Sequence, residues 1–388
     1  MRSMRVGGRN CLPTTGNWAS SPRTMHLRYE SRTGSPVDAD DRRSATFCQS
    51  AHLAFLDAQE AVGESDRRSF KIGGYELCLR FAGRALIQPM TKALAHLATE
   101  PSESPDLTIC IWDSASTQTS MTTPSWSTDD YGVQGLISGF NTDRFQTLLQ
   151  LANNTLNMLD HRKNLGLYWI PNARHVTYYE AISPLRTLLY WWMRRHGRQL
   201  VHAGAVGTAD GGVLLPARGG SGKSTTALAC LEAGLLYAGD NNILLSTDER
   251  PLQAYSMHNS TALHGIHLEE RLPHLLPHIE NPEQLGEQKA FAFLHKHYPT
   301  QMAASLPVRA VLVPRITGHR DTGLSESSLA ASLSALIPST LFSLPGAGRE
   351  TFETLVKLIQ PLPHYMLNLG TDLPQVPRVI SELLRKFL

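Results

Sequence analysis

The chain has 388 residues, enough for two domains, and its 41% apolar content is ordinary for a protein that buries a core. A net charge of +2 argues against a broad basic face for nucleic acid and points to a small-molecule, peptide or protein partner. Five scattered cysteines (Cys11, Cys48, Cys78, Cys110, Cys230) form no Cys-x-x-Cys pair, which argues against a disulfide framework or a structural zinc site and favours a reducing compartment. No run of about eighteen apolar residues marks a membrane span, and the basic N-terminus lacks an apolar stretch behind it, so the expected location is the cytoplasm.

Residues 1–66 are rich in Arg, Ser, Gly, Thr and Asp and read as a poorly ordered tail, with a short helix over His52–Ala61. Order is expected from Phe70. Phe70–Phe81 alternates apolar and polar residues around Gly73-Gly74, a hairpin signal. Pro89–Ala98 reads as a helix, Asp106–Asp113 as a strand, and the Ser/Thr-rich 114–130 as a loop. Residues 67–180 are expected to form a smaller α/β domain, assigned to acceptor recognition. Residues 181–388 are expected to form the domain that carries the chemistry. It opens with a helix over Pro184–His196 that places Leu185, Leu188, Leu189, Trp192 and Met193 on one face. Gly197 stops that helix, and Trp191-Trp192 reads as core packing.

The chemistry sits in the next forty-odd residues. Leu200–Val206 reads as a strand, Thr208–Gly212 as a turn and Val213–Leu215 as a second strand, so that Val206 faces Val213 and His202 faces Ala217. A glycine-rich loop follows (Ala217, Arg218, Gly219, Gly220, Ser221, Gly222), then Lys223, Ser224 and Thr225 at the start of a helix that runs to Ala233 and ends at Gly234. Strand, glycine loop, Gly-Lys-Ser and helix make the context of a P-loop. Glycines let successive N–H groups turn inward around phosphate oxygens, and the helix N-terminus adds its partial positive charge. Lys223 reaches the outer phosphates and Ser224 the magnesium ion. The first glycine of the usual pattern is Ala217 here. Asp240 follows Lys223 by seventeen residues, after an apolar strand Leu235–Ala238 predicted to run beside the phosphate-loop strand. It reads either as a metal ligand and proton acceptor or as a turn aspartate of Gly-Asp-Asn-Asn. His202 reads either as an imidazole at the loop's mouth or as a structural strand histidine.

Seven histidines over 258–297 lack a metal-binding spacing and read as a solvated surface segment. Lys289, Arg309 and Arg315 are candidates to offset transferred phosphoryl charge, and position alone does not choose among them. Val308–Val313 and Pro363–Leu369 read as strands, and Leu329–Leu336 and Val376–Lys386 as helices.

The run His202…Gly219-Gly-Ser-Gly-Lys-Ser-Thr…Gly234…Gly239-Asp240 resembles HPr kinase/phosphorylase and, more closely, the wider group of HPr-kinase-related serine kinases. Pro184-Leu-Arg186, Pro338-Ser-Thr340 and Tyr365-Met-Leu-Asn-Leu-Gly370 add to the likeness, which covers about 68–388 and is strongest over 184–245. The resemblance implies an α/β P-loop kinase domain of the type shared with ATP-dependent phosphoenolpyruvate carboxykinases, behind a smaller N-terminal α/β domain. It implies ATP and Mg2+ as cofactors and transfer to a serine-type hydroxyl. The acceptor would be a peptide or small protein; some relatives accompany the biosynthesis of ribosomal peptides such as lasso peptides and phosphorylate the precursor's C-terminal residue. It also implies assembly as a homo-oligomer. Asp240 would be the base, His202 would assist at the γ-phosphate, Lys223 and the residues from Ala217 to Thr225 would hold the nucleotide, and Ser224, Asp240 and Asn241 the metal. The family's second aspartate is Asn241 here, which offers a carbonyl oxygen but cannot take a proton. Two other functions stay open: an ATP-binding regulatory protein without transfer activity, and a small-molecule kinase acting on a free serine-like acceptor.

Overall fold

In the computed structural model, residues 36–63, 65–216, 218–284 and 289–387 are described. The first element, α1 (Pro36–Val62), occupies much of the stretch expected to be tail. Phe47, Ala51, Phe55 and Ala58 recur on one side of it and are buried. The stripe escapes a sequence reading because half of it is alanine and the first turns are crowded with Asp and Arg. Residues 1–35 of the expected tail lie outside the described residues.

The chain then builds a seven-stranded sheet. Its members are β1 (Ser65–Ile72), β2 (Tyr75–Ala82), β3 (Ala98–Thr99), β4 (Leu107–Asp113), β5 (Phe145–Gln150), β6 (Thr155–Asp160) and β7 (Leu165–Ile170), in the order β3-β1-β2-β4-β7-β6-β5. β1 and β2 form the hairpin expected around Gly73-Gly74, with Ile72 opposite Tyr75. The helix expected at 89–98 is α2 (Ile87–Thr91) followed by a 3₁₀ segment to Leu97. A single turn α3 (Ser114–Thr117) interrupts the expected loop. Alternation along β4 decides which side each residue joins: Cys110 and Trp112 pack with α1, while Ile109 and Ile111 face the opposite core.

That opposite core is organised by α5 (Arg186–Arg195), which follows a one-turn capping-box helix α4 (Tyr178–Ile182). Seven of the ten α5 residues are buried, not one face only. The helix lies in a cluster that also holds Leu200, Leu244 and Met257 from the second half of the chain, so it is covered on both sides. Trp191 and Trp192 are core residues, and each indole N–H is satisfied, by the Pro345 carbonyl (3.3 Å) and by Asn164 Oδ1 (3.0 Å).

The second half forms a nine-stranded sheet from β8 (Arg198–Val201), β9 (Ala203–Thr208), β10 (Gly211–Pro216), β11 (Leu236–Gly239), β12 (Ile243–Ser246), β13 (Gln253–Ser256), β16 (Ser305–Ile316), β17 (Gly323–Glu326) and β18 (His364–Leu369). A separate ribbon joins β14 (Ser260–Leu263) to β15 (Ala290–Phe293). Among the described residues five α-helices complete this half: α6 (Lys223–Glu232), α7 (Gly265–Arg271), α8 (Leu329–Ser343), α9 (Arg349–Ile359) and α10 (Gln375–Arg385). Val213 and Leu215 of β10 face α6 and α10, whereas Leu214 faces α8 and α9, so helices cover both faces of the sheet. The fold is mixed α/β. No helix among the described residues is long and apolar enough to cross a membrane.

Two strand expectations need correction. The segment 200–206 is not one strand: it breaks at His202, with β8 paired to β12 and β9 paired to β10 and β11. The strand before Asp240, β11, does not lie beside β10; β9 stands between them, because the β9–β10 hairpin already fills that edge of β10.

Candidate active site

The β9–β10 hairpin has the expected register, Val206 opposite Val213. It delivers the chain at Pro216 to the glycine loop, whose first residue, Ala217, lies outside the described residues. Gly222 sits at φ +94°, a conformation that favours glycine, and a Cβ there would also displace the Leu369 Cδ1 methyl, 2.6 Å away. Nothing stands within 4 Å of where a Cβ would lie at Gly219 or Gly220, which leaves room for a ligand against the loop. The carbonyl of Gly222 accepts the first helical bond from Thr226 N–H (2.9 Å), so the first N–H groups of α6 are free of intrahelical partners.

Lys223, the first residue of α6, is 8% exposed. Burial pulls its pKa below the ordinary lysine value, the charge of Lys289 adds to this, and Asp240 opposes it. A buried ammonium at a helix N-terminus, close to a second lysine, forms a site that favours an anion.

Asp240 follows directly on β11 and is 1% exposed. Its Oδ2 accepts a hydrogen bond from Thr261 Oγ1 on β14 (2.9 Å). Its Oδ1 is buried without a hydrogen-bond partner among the described residues. The Tyr237 hydroxyl lies near the same carboxylate and has its pKa held well above the ordinary value by burial and by that charge; it donates to the Ser260 carbonyl (3.4 Å). The backbone at Asp240 rests against Gly204 of β9, where a Cβ would stand 3.3 Å from both Asp240 Cα and the Gly239 carbonyl oxygen.

His202 occupies the break between β8 and β9. Its backbone N–H donates to Thr340 Oγ1 of α8 (3.1 Å), which satisfies the amide that leaves the strand ladder. Burial, then the charges of Lys223, Arg186 and Lys289, push the imidazole down to about 3, so it is neutral at physiological pH.

One cavity of about 300 Å3 collects these groups. Arg218, Gly219, Gly220, Gly222, Lys223, Ser224, Thr225, His202, Asp240 and Asn241 all line it. Ser221 is turned into the loop, its hydroxyl donating to the Arg218 carbonyl (2.8 Å). Arg218 reaches α8, where its guanidinium meets Ser334 Oγ at 3.2 Å.

Of the three downstream basic residues, Lys289 lines the cavity. Arg309 donates to the Asp210 carbonyl, in the turn at the other end of β10, and Arg315 donates twice to Asn368 Oδ1. The histidine-rich segment is not uniformly a surface. His258 is buried, with its ring Nε2 donating to the Pro184 carbonyl (3.2 Å), while the rings of His278 and His297 lie 3.7 Å apart. Residues not singled out as site candidates also line the cavity: Tyr178, Tyr179, Arg186 and Arg271. The one signal for the tyrosines is the capping box Thr177-x-x-Glu180, which places Tyr178 and Tyr179 in the first turn of α4.

No family model matches this chain, and no curated protein matches it. Among solved structures it aligns with the Hpr(Ser) kinase/phosphatase from Coxiella burnetii at 13% identity and a TM-score of 0.27, over 49% of this chain and 95% of that one.

Proposed function

We propose that the protein is a cytoplasmic, magnesium-dependent kinase that moves the γ-phosphoryl group of ATP to a serine-type hydroxyl on a peptide or small protein. The observation that carries this reading is Asp240, a lining residue of the cavity that holds the glycine loop and Lys223, whose buried Oδ1 has no hydrogen-bond partner among the described residues. A buried polar atom without a partner is costly unless a ligand completes it.

The donor set suits the cofactors. Ser224, Asp240 and Asn241 bring hydroxyl, carboxylate and amide oxygens to the cavity lining, the hard oxygen chemistry that Mg2+ takes. When bound, the ion offsets charge on the phosphates. The loop amides and Lys223 hold the β- and γ-phosphates. The acceptor oxygen forms its bond to the γ-phosphorus as the bond to the β–γ bridging oxygen breaks and ADP leaves with that electron pair. The hydroxyl proton passes to Asp240, the only carboxylate of the Asp240-Asn241 pair. His202, being neutral, contributes a ring hydrogen bond to a phosphate oxygen rather than a positive charge.

The test is the intact mass of a peptide pool, an HPr-like protein and free serine after incubation with Mg-ATP. Lys223→Ala should lose nucleotide binding. Asp240→Asn should still bind nucleotide, with weaker dependence on Mg2+, and transfer about 10²–10⁴-fold more slowly. An Asp240→Asn protein as active as the wild type, or no added phosphate on any acceptor, would sink the reading.

A further inference from the structure

A second cavity, of about 500 Å3, adjoins the first, and the two share Tyr179 and Arg186 in their linings. Its wall runs from the end of β5 across Leu151 and Asn153 to Asn157 on β6, and back through Glu180 of α4. Arg186 is placed at the junction by an unusual backbone. Leu185 caps α5 at φ +59°, the left-handed region that a leucine enters only against a steric cost, and Arg186 is the first helical residue after it. A cation there meets the positive end of the α5 dipole.

No described residue compensates that charge. Among the described residues Arg186 makes no hydrogen bond or ion pair, and burial alone pulls its pKa down. Among the described residues Glu180 is the one carboxylate that lines the second cavity, and its oxygens already accept hydrogen bonds. Oε2 accepts from Thr177 N–H (3.0 Å), Thr177 Oγ1 (3.1 Å) and Asn153 Nδ2 (2.8 Å), and Oε1 accepts from the Tyr168 hydroxyl (3.1 Å). Two neighbours of Arg186, His202 and His258, are held neutral by burial first of all, at about 3 and about 4. The rim, in contrast, exposes large apolar side chains: Leu151 is 62% and Tyr179 72% exposed, and Val133, next to the lining residue Gln134, is 81% exposed.

We propose that this second cavity receives the acceptor as an acidic peptide segment, with Arg186 taking a carboxylate that flanks the reacting hydroxyl and the exposed Val133, Leu151 and Tyr179 side chains taking its apolar neighbours. The inference rests on the kinase reading above for the meaning of "acceptor", but its charge preference is a binding property. A guanidinium fork matches the two oxygens of a carboxylate, and such charge-assisted bonds are among the stronger polar contacts. The shared residues put the anchor at the boundary between nucleotide and acceptor, where a hydroxyl a residue or so away enters the first cavity toward Asp240.

The experiment uses fluorescein-labelled heptapeptide pools with a central serine and either Asp, Asn or Lys fixed at the flanking positions, titrated by anisotropy into the full chain with Mg-ADP. The wild type should bind the Asp pools about tenfold or more tighter than the Asn pools. In Arg186→Gln that gap should close to within about twofold, Arg186→Lys should keep part of it, and Arg186→Glu should turn the preference toward Lys. The far-UV circular dichroism and urea midpoint of Arg186→Gln should stay close to those of the wild type, which shows that the variant is folded. Equal binding of Asp and Asn pools by the wild type, or an undiminished gap in Arg186→Gln, would overturn the proposal. Phosphate incorporation into the same pools is measured separately. An acidic preference with no transfer sinks the kinase reading alone, and transfer with no acidic preference sinks this inference alone.

Discussion

Asp240 depends on a residue that carries no chemistry. Gly204 on β9 lies flat against the backbone of Gly239 and Asp240, and an alanine there would bring its Cβ to 3.3 Å from both. One side must give by a few tenths of an ångström, and Leu215 Cβ at 3.6 Å leaves β9 little room to retreat. The carboxylate is therefore expected to shift. Positioning errors of about 1 Å can cost a hundredfold in rate, so Gly204→Ala should slow the proposed transfer about tenfold, with stability lowered by no more than about 1–3 kcal/mol. Rapid-quench transfer rates decide this; an unchanged rate means the carboxylate position is not set by β9. At this scale the sequence was legible where residue type and spacing predict a place: Lys223 and Asp240, singled out together, line one cavity. Arg186 entered the sequence reading only as part of Pro184-Leu-Arg186; the left-handed leucine before it and its lack of a hydrogen-bond or ion-pair partner among the described residues leave no mark in the letters. The contact between Thr340 and the His202 amide, from residues 138 apart in sequence, was equally invisible.

Among the elements, α1 separates surface from core most cleanly. Phe55 is fully buried, meets Trp112 of β4 edge-on with ring centroids 5.8 Å apart, and has the Arg80 guanidinium over its ring at 5.5 Å. Leu53, two residues away on the same helix, is 52% exposed. Phe55→Ala should destabilise the protein by about 3–5 kcal/mol through lost transfer energy and the cavity left behind, whereas Leu53→Ala should change stability by less than about 0.5 kcal/mol. Urea unfolding of the two variants tests the contrast, and equal midpoints would mean that α1 does not belong to the folded core. Helices with a dense apolar pattern, such as α5 and α10, were readable in the chain, although the burial of α5 on nearly all sides was not. That burial depends on which sheets it lies between, and strand order is decided by pairings far apart in sequence. The placement of β11 shows the same limit: its apolar run identifies a strand, but only the prior claim of the β9–β10 hairpin decides its neighbour.

Across the whole molecule, the buried imidazoles set how stability responds to acid. His96 and His202 are pushed down to about 3, and His161 and His258 to about 4, in each case first of all by burial. His96 faces His258 and His295, with its Nε2 bonded to Ser256 Oγ (2.6 Å), and His258 also faces Arg186; none of these neighbours is a carboxylate. In the unfolded chain the same rings take a proton near their ordinary 6.5. Between pH 6.5 and about 4 the unfolded state therefore binds more protons than the folded one, and stability rises with pH. It is fully present above 6.5 and falls as pH drops below it. For one fully buried ring such as His258, acidifying from 6.5 to 5 should cost up to about 2 kcal/mol, whatever its folded value, provided that value stays below 5. The melting temperature should hold steady from pH 8 to 7 and fall by several degrees by pH 5. Replacing His258 with glutamine, which can still donate to the Pro184 carbonyl, should reduce the slope of unfolding free energy against pH by about one proton between pH 6 and 5. A slope unchanged in that variant would mean the ring is protonated in the folded protein, and a melting temperature that rose on acidification would reverse the sign of the whole argument.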